Sequence, residues 1–135
     1  MKKFVLFSFL LFGMSAMAQV VIPPHHTQDA FKQSHPDANR LVWTMENGNY
    51  KATYYDQSKK MRNTVFDAND VVLRNEYELP TSDVPATITD YYAKSKTGQT
   101  AEYRVFMVVD KDGNKSYYTI QNEVVTTFDQ DGKVK

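Results

Sequence analysis

Apolar residues follow three different patterns along this chain. Residues 4–14 form one nearly continuous apolar run. Two segments, from about Pro24 to Ser34 and from Asp83 to Lys94, predict short helices, each with a proline in its first turn. The second has apolar residues at three- and four-residue spacing, and we expect it to end near Gly98. Much of the remaining chain is rich in β-formers that alternate with polar residues, which predicts strands with one buried face.

Turn residues divide the alternating segments into strands. Asn47-Gly48 is a hairpin signal, and Asp112-Gly113 and Asn122 mark two further turns. Consecutive strands joined by such short turns pair antiparallel. The sequence therefore predicts an α+β domain with the order helix, four strands, helix, four strands, and with the helices on one face of an antiparallel sheet. The predicted strands are 41–45, 50–55, one ending at Phe66, 71–77, 102–109, 115–121, 124–128, and a short one after Gly132.

The two halves, about residues 23–79 and 80–135, resemble each other. At an offset of 61, proline, aspartate, an aromatic residue and serine coincide in the two helices. Thr64–Asp70 is echoed by Thr126–Gly132 at an offset of 62. Self-similarity at a fixed period is the mark of a duplicated supersecondary unit. We therefore expect a single domain, residues 19–135, made of two repeats. The coinciding helix residues are Pro24 and Pro85, Asp29 and Asp90, Phe31 and Tyr92, and Ser34 and Ser95.

The apolar run at the start has the three parts of a secretory signal peptide. Lys2 and Lys3 precede it, and Ala16-Met17-Ala18 supplies small residues at a cleavage site before Gln19. The run is shorter than the roughly 20 residues that a transmembrane helix needs. We expect residues 1–18 to be removed, giving an exported protein of the periplasm or extracellular space that is not inserted in a membrane.

Composition excludes several classes of function. The chain has no cysteine, so it has no disulfides, thiolate metal sites, thiol catalysis or cysteine-linked lipid anchor. Removing Lys2 and Lys3 leaves two more acidic than basic side chains, and no basic tract marks a nucleic-acid partner.

No motif in the chain carries recognisable catalysis or cofactor binding. Asp110-Lys111-Asp112-Gly113 and Asp129-Gln130-Asp131-Gly132 lack the further ligands of a calcium loop, so we interpret them as hairpin turns. Serine lies in no nucleophile elbow. Glu76 and Glu78 lie on the same strand face and do not oppose each other across a cleft, as a glycosidase pair would. We predict no catalytic residue, no cofactor and no metal.

Four motifs follow the proline-led helix of the first half: Ser34-His35-Pro36-Asp37-Ala38, Val42-Trp43, Gly48-Asn49-Tyr50-Lys51-Ala52-Thr53-Tyr54 and Val65-Phe66-Asp67. The second half keeps the helix and the Phe128–Gly132 ending but lacks the tryptophan and the tyrosine-x-alanine pattern. With these features, each half resembles the PepSY-like, β-lactamase-inhibitor-like family of small exported bacterial proteins. The resemblance implies an antiparallel sheet with flanking helices, a binding or inhibitory role and no catalytic residues.

Aromatic residues fall into two sets by strand parity, that is, by which of the two faces of a strand their alternating position gives them. Trp43, Tyr54, Phe66 and Phe128 have apolar neighbours two positions away, which predicts core positions. Tyr55, Phe106 and Tyr118 have the opposite parity, so we expect them on the face that the helices leave open, where their truncation costs little stability. Tyrosine-rich faces are typical of binding surfaces, although a partly exposed face with incidental aromatics fits equally well.

These patterns predict a non-enzymatic binding module that uses the open face to bind an unidentified protein or peptide. One form of such binding is the inhibition of an exported hydrolase. One alternative is a structural envelope protein whose sheet serves self-association. A small-ligand carrier is a further alternative.

Overall fold

The computed structural model describes residues 19–95 and 102–135, which fold into one seven-stranded antiparallel sheet and two helices. The proposed signal peptide, residues 1–18, and the predicted helix end near Gly98 lie outside the described residues. The sheet order is β1-β2-β3-β4-β5-β6-β7, so every strand pairs with its neighbour in sequence. The elements are α1 (His25–Ser34), β1 (Asn39–Glu46), β2 (Asn49–Tyr55), β3 (Met61–Phe66), β4 (Val72–Glu78), a 3₁₀ helix (Thr81–Asp83), α2 (Ala86–Ala93), β5 (Arg104–Asp110), β6 (Lys115–Gln121) and β7 (Val124–Phe128).

The predicted α+β class is confirmed, but the prediction of an eighth strand is wrong. After Gly132 the chain makes one antiparallel bridge, Val134 to Phe128, and the Lys135 N–H donates to the Thr127 carbonyl. The first half thus has a helix and four strands, whereas the second has a helix and three. The origin of the two halves by duplication stays a prediction.

Both helices lie on the same face of the sheet. Phe31 of α1 packs edge-on against Trp43 and Tyr54, with ring centroids 5.5 and 5.1 Å away. Ile88 of α2 is buried with Val105 and Phe128. We call this side the covered face. The strand registers place five residues side by side on this face across β1–β5, so the face is continuous from one helix to the other. These residues are Trp43, Ala52, Thr64, Asn75 and Val109.

Four hairpin and loop turns share one hydrogen-bonding pattern, in which each turn begins with an aspartate. In each, the backbone N–H of the aspartate donates to the carbonyl four residues later, and its Oδ1 accepts the N–H of that same residue at 2.9–3.0 Å. The residue three positions after the aspartate has a positive φ. The two turns that resemble calcium loops therefore use a carboxylate oxygen to hold their own backbone. The four aspartates are Asp56, Asp67, Asp110 and Asp129.

Each helix begins against one of these turns. The Thr27 hydroxyl, which is buried, donates to Asp70 Oδ1 at 2.6 Å, and His26 Nδ1 lies 2.6 Å from Asp70 Oδ2. In the second half the Thr87 hydroxyl donates to the Asp131 carbonyl at 3.2 Å, beside Gly132. These contacts fix where the two helices start on the covered face. No helix in the two described segments is long and apolar enough to cross a membrane.

The contact between α2 and its turn leaves no room for a side chain at Gly132. A Cβ there would lie 2.0 Å from Thr87 Oγ1, whereas a Cβ at Gly113 would meet nothing within 4 Å. Both glycines have a positive φ, so alanine costs roughly 1–2 kcal/mol of backbone strain at either position. We predict that Gly132→Ala lowers the free energy of unfolding in urea by at least about 1 kcal/mol more than the matched Gly113→Ala. Equal losses would show that α2 does not press on this turn.

Candidate binding face

The sheet face opposite the helices is covered by no helix or strand within residues 19–95 and 102–135. The registers place Tyr55 opposite Met61, Glu78 opposite Phe106, and Phe106 opposite Tyr118. The three aromatic residues that parity selects therefore lie together on this side. We call this side of β2–β6 the open face.

A buried carboxylate lies at the centre of the open face. Glu76 is only 4% exposed. Its Oε2 accepts hydrogen bonds from Asn63 Nδ2 at 3.0 Å and from the Tyr118 hydroxyl at 3.4 Å. Lys51 Nζ lies 3.7 Å from Oε2, and Arg74 Nε lies 3.5 Å from Oε1. Burying an unpaired carboxylate costs several kcal/mol, so these partners are what allow Glu76 to lie beneath the surface.

The same cations also bind a second, more exposed glutamate. Glu46 lies 3.6 Å from Lys51 and forms an ion pair with Arg74. Partial burial opposes its ionisation, but the hydrogen bond from Arg74 and the charges of Lys51 and Arg74 outweigh burial, so the pKa of Glu46 is below its ordinary value. Every buried side-chain polar atom in the described chain has a hydrogen-bond partner. Two carboxylates, Glu46 and Glu76, and two cations, Lys51 and Arg74, thus form one continuous network of ion pairs.

Phe106 lies on the open face but is not exposed there, so the expectation of an accessible Phe106 is wrong. It is 1% exposed. Its ring stacks on Tyr118 with centroids 4.8 Å apart and planes 6° apart, and the Arg104 guanidinium lies 5.1 Å from its centroid. Two neighbouring side chains cover it in place of a helix. Its truncation should therefore cost stability, contrary to the expectation from parity.

Tyr55, Tyr118 and Arg104 reach the surface of the open face. The two tyrosines are partly exposed, and the Arg104 side chain is 43% exposed. Arg104 Nε donates to Glu78 Oε1 at 3.0 Å, while Nη2 donates to the Met61 sulfur at 3.7 Å. Burial, together with the nearby charge of Glu76, raises the pKa of Tyr118, which keeps its hydroxyl protonated.

Arg104 and the Glu76 network are absent from the sequence-based predictions. The sequence signal that could have revealed the network is the alternation of Arg74, Glu76 and Glu78, which places three charges on one face of β4. The structure confirms that Glu76 and Glu78 share a face, and shows that each binds a different cation.

The histidines do not converge on one site. His26 contacts Asp70 at the start of α1, whereas His35 stacks on Phe31 at the end of the helix, with ring centroids 4.7 Å apart. Burial lowers the pKa of His35 despite a backbone hydrogen bond at Phe31 that acts the other way. In the described segments, no three side chains of the metal-ligating types lie close enough together to hold an ion.

Solved structures share this architecture. A BLIP-like protein from Bacteroides fragilis superposes with a TM-score of 0.59 and 20% identity over 85% of this chain and 84% of that one. The chain has the BLIP-like fold. A candidate periplasmic protein from Bacteroides eggerthii gives a TM-score of 0.68 at 16% identity, and a DUF2874 family protein from Bacteroides uniformis gives 0.65 at 16%, each over 84% of this chain and 86% of theirs.

The comparison confirms the predicted resemblance at the level of fold. The PepSY part of that resemblance stays a prediction. No family model matches the sequence, and no curated protein matches it.

Glu78 provides a pH test of the open face. The hydrogen bond from Arg104 is the main cause that holds the pKa of Glu78 below its ordinary value of 4.5, and the Met61 N–H adds to it. A carboxyl with a lowered pKa in the folded state stabilises the fold above its unfolded pKa, and this contribution disappears as the pH falls through the folded value. We therefore expect stability to fall below about pH 4.5, and to fall less steeply in Glu78→Gln.

Urea unfolding at several pH values measures this difference. Glu102→Gln, at an exposed position outside the network, is the matched control and should keep the wild-type pH dependence. An unchanged pH dependence in Glu78→Gln would contradict the pairing of Glu78 with Arg104.

Proposed function

We propose that this chain is an exported, non-enzymatic binding protein that holds a protein partner on its open face. The observation that carries the proposal is the open face itself. No element of the described segments covers it, yet the groups at its centre are buried and fully paired. Phe106 lies against Tyr118 and Arg104, and Glu76 accepts a hydrogen bond from Tyr118, while Tyr55 is partly exposed on the same face.

The chemistry of these two tyrosines and of Arg104 favours a protein partner. Tyrosine and arginine are enriched among the residues that dominate binding energy in protein interfaces. Here they project from strands, and Arg104 and Tyr118 are held by Glu78, Phe106 and Glu76. Side chains that are already ordered lose less entropy on binding. The face therefore supports a preformed contact surface.

The proposal also includes export of the protein and inhibition of its partner. Export rests on residues 1–18, and the fold neighbour of candidate periplasmic location supports it. Inhibition of an exported hydrolase is the form of binding that the likeness to a BLIP-like protein suggests. The acidic residues of the open face are paired with cations, which suits a binding surface better than acid–base chemistry.

Self-association is the second candidate function, and one edge of the sheet favours it. Val124 and Val125 of β7 are 63% and 59% exposed. The chain after Gly132 bridges this strand only at Phe128, with a further hydrogen bond at Thr127. An edge strand with exposed β-branched residues is a template for pairing with a second copy.

Capture of envelope proteins by immobilised residues 19–135 separates the two functions. We expect wild type to retain a partner that Tyr55→Ala and Arg104→Gln lose. Tyr91→Ala, which truncates an exposed aromatic residue of α2 on the other side of the sheet, should retain it. Unfolding free energies of the variants check that folding is intact.

Two results would contradict the proposal. One is equal capture by all variants. The other is a concentration-dependent dimer in sizing experiments that Val124→Lys abolishes, with no partner retained by wild type, and this result would establish self-association.

A further inference from the structure

A cavity of about 450 Å³ lies on the covered face, where α1 ends. Residues 34–38, which connect α1 to β1, form one wall, and the end of β2 and the turn after it form another. Arg62 of β3 and Tyr77 of β4 complete the lining. The volume is in the range of small-molecule sites. The cavity is on the opposite side of the sheet from the open face, so it belongs to no surface described above.

Aromatic rings form the apolar part of this cavity. The His35 ring lies 5.1 Å from that of Tyr54, and it is fixed from behind by its stack on Phe31. The Tyr77 ring is fixed by the Arg62 guanidinium, 5.0 Å from its centroid. His35 and Tyr77 are partly exposed, so their fixed rings provide flat apolar walls against which the C–H face of a small ring packs, whereas Tyr54 is 7% exposed and adds little surface.

The lining of the cavity carries two carboxylates, Asp37 and Asp56, and one guanidinium, Arg62. Asp56 Oδ2 binds Arg62 through Nε at 2.9 Å and Nη2 at 2.7 Å, so these two charges neutralise each other. Burial lowers the pKa of His35, which favours its uncharged ring. The remaining carboxylate, Asp37, is exposed and disfavours an anion.

The cavity also has many hydrogen-bonding groups. Arg62 is a five-donor guanidinium of which Asp56 and the Glu78 carbonyl, 3.4 Å from Nη1, engage three N–H groups. Gln57 and Ser58 add amide and hydroxyl groups that both donate and accept, whereas the Ser34 hydroxyl already donates within α1. Flat apolar walls beside neutral donors and acceptors are complementary to a ring that bears hydroxyl groups.

We infer that this cavity binds an uncharged polyhydroxylated small molecule, of the size of a monosaccharide. The inference is independent of the proposed function, because the two sites share no residue and face opposite sides of the sheet. Loss of a partner in Tyr55→Ala tests the proposed function, whereas sugar binding tests the cavity.

Titration of ¹⁵N-labelled residues 19–135 with sugars of matched shape tests the inference. Glucose, galactose, mannose and N-acetylglucosamine are the neutral probes, while glucosamine and glucuronate carry one positive and one negative charge. We expect at least one neutral sugar to shift the amides of His35, Gln57 and Tyr77 saturably, and glucuronate to bind roughly fivefold more weakly or less well still. Glucosamine should bind no more tightly than the neutral sugar. No saturable shift with any neutral sugar, or tighter binding of a charged one, overturns the inference.

Arg62→Met locates the binding to the cavity. Lys60→Met is the matched control, because it removes one positive charge two residues away from a side chain outside the lining. We expect Arg62→Met to weaken the sugar roughly fivefold and Lys60→Met to leave it unchanged. If Arg62→Met does not fold, Gln57→Ala at an exposed position replaces it, with the same expected direction. Equal affinities in wild type and the variant that folds overturn the assignment.

Discussion

The structure depends on one constraint: a seven-stranded sheet receives helices on one side only. Phe31 and Ile88 bring the two helices onto the covered face, where aromatic and aliphatic side chains are buried in the ordinary way. The open face has no such cover in the described chain, so its own side chains must exclude water from the sheet. They do so by pairing across strands, with Glu76 held among Lys51, Asn63 and Arg74.

This arrangement links stability to binding. Phe106 is buried because Tyr118 and Arg104 lie against it, and those two residues are ordered because Phe106 is beneath them. A residue on the open face therefore either supports the surface or forms it. In the proposed function, Phe106 and Glu76 belong to the first group, whereas Tyr55, Tyr118 and Arg104 belong to the second. The cavity at the end of α1 is built differently, from a loop and a turn of the first half.

Local patterns in the sequence predicted the elements well and their environment less well. The Asn47-Gly48 turn is present with both φ values positive, and the aspartate turns are fixed by neighbouring backbone N–H groups, so short windows of sequence suffice for them. Parity correctly placed Phe106 opposite the helices, but parity does not reveal which long side chains of adjacent strands lie over a residue. The Glu76 network joins β2, β3, β4 and β6, so it requires a register that no single segment contains.

The central claim is that the open face is packed by its own side chains. Urea unfolding of Phe106→Ala beside Trp43→Ala and Tyr55→Ala tests it most directly. Trp43 is a covered-face core residue, and Tyr55 is a partly exposed residue of the open face. We predict that Phe106→Ala costs about 3–5 kcal/mol, as Trp43→Ala does, and that Tyr55→Ala costs much less. A Phe106→Ala protein no less stable than Tyr55→Ala would mean that the open face is loosely packed, and would contradict the account.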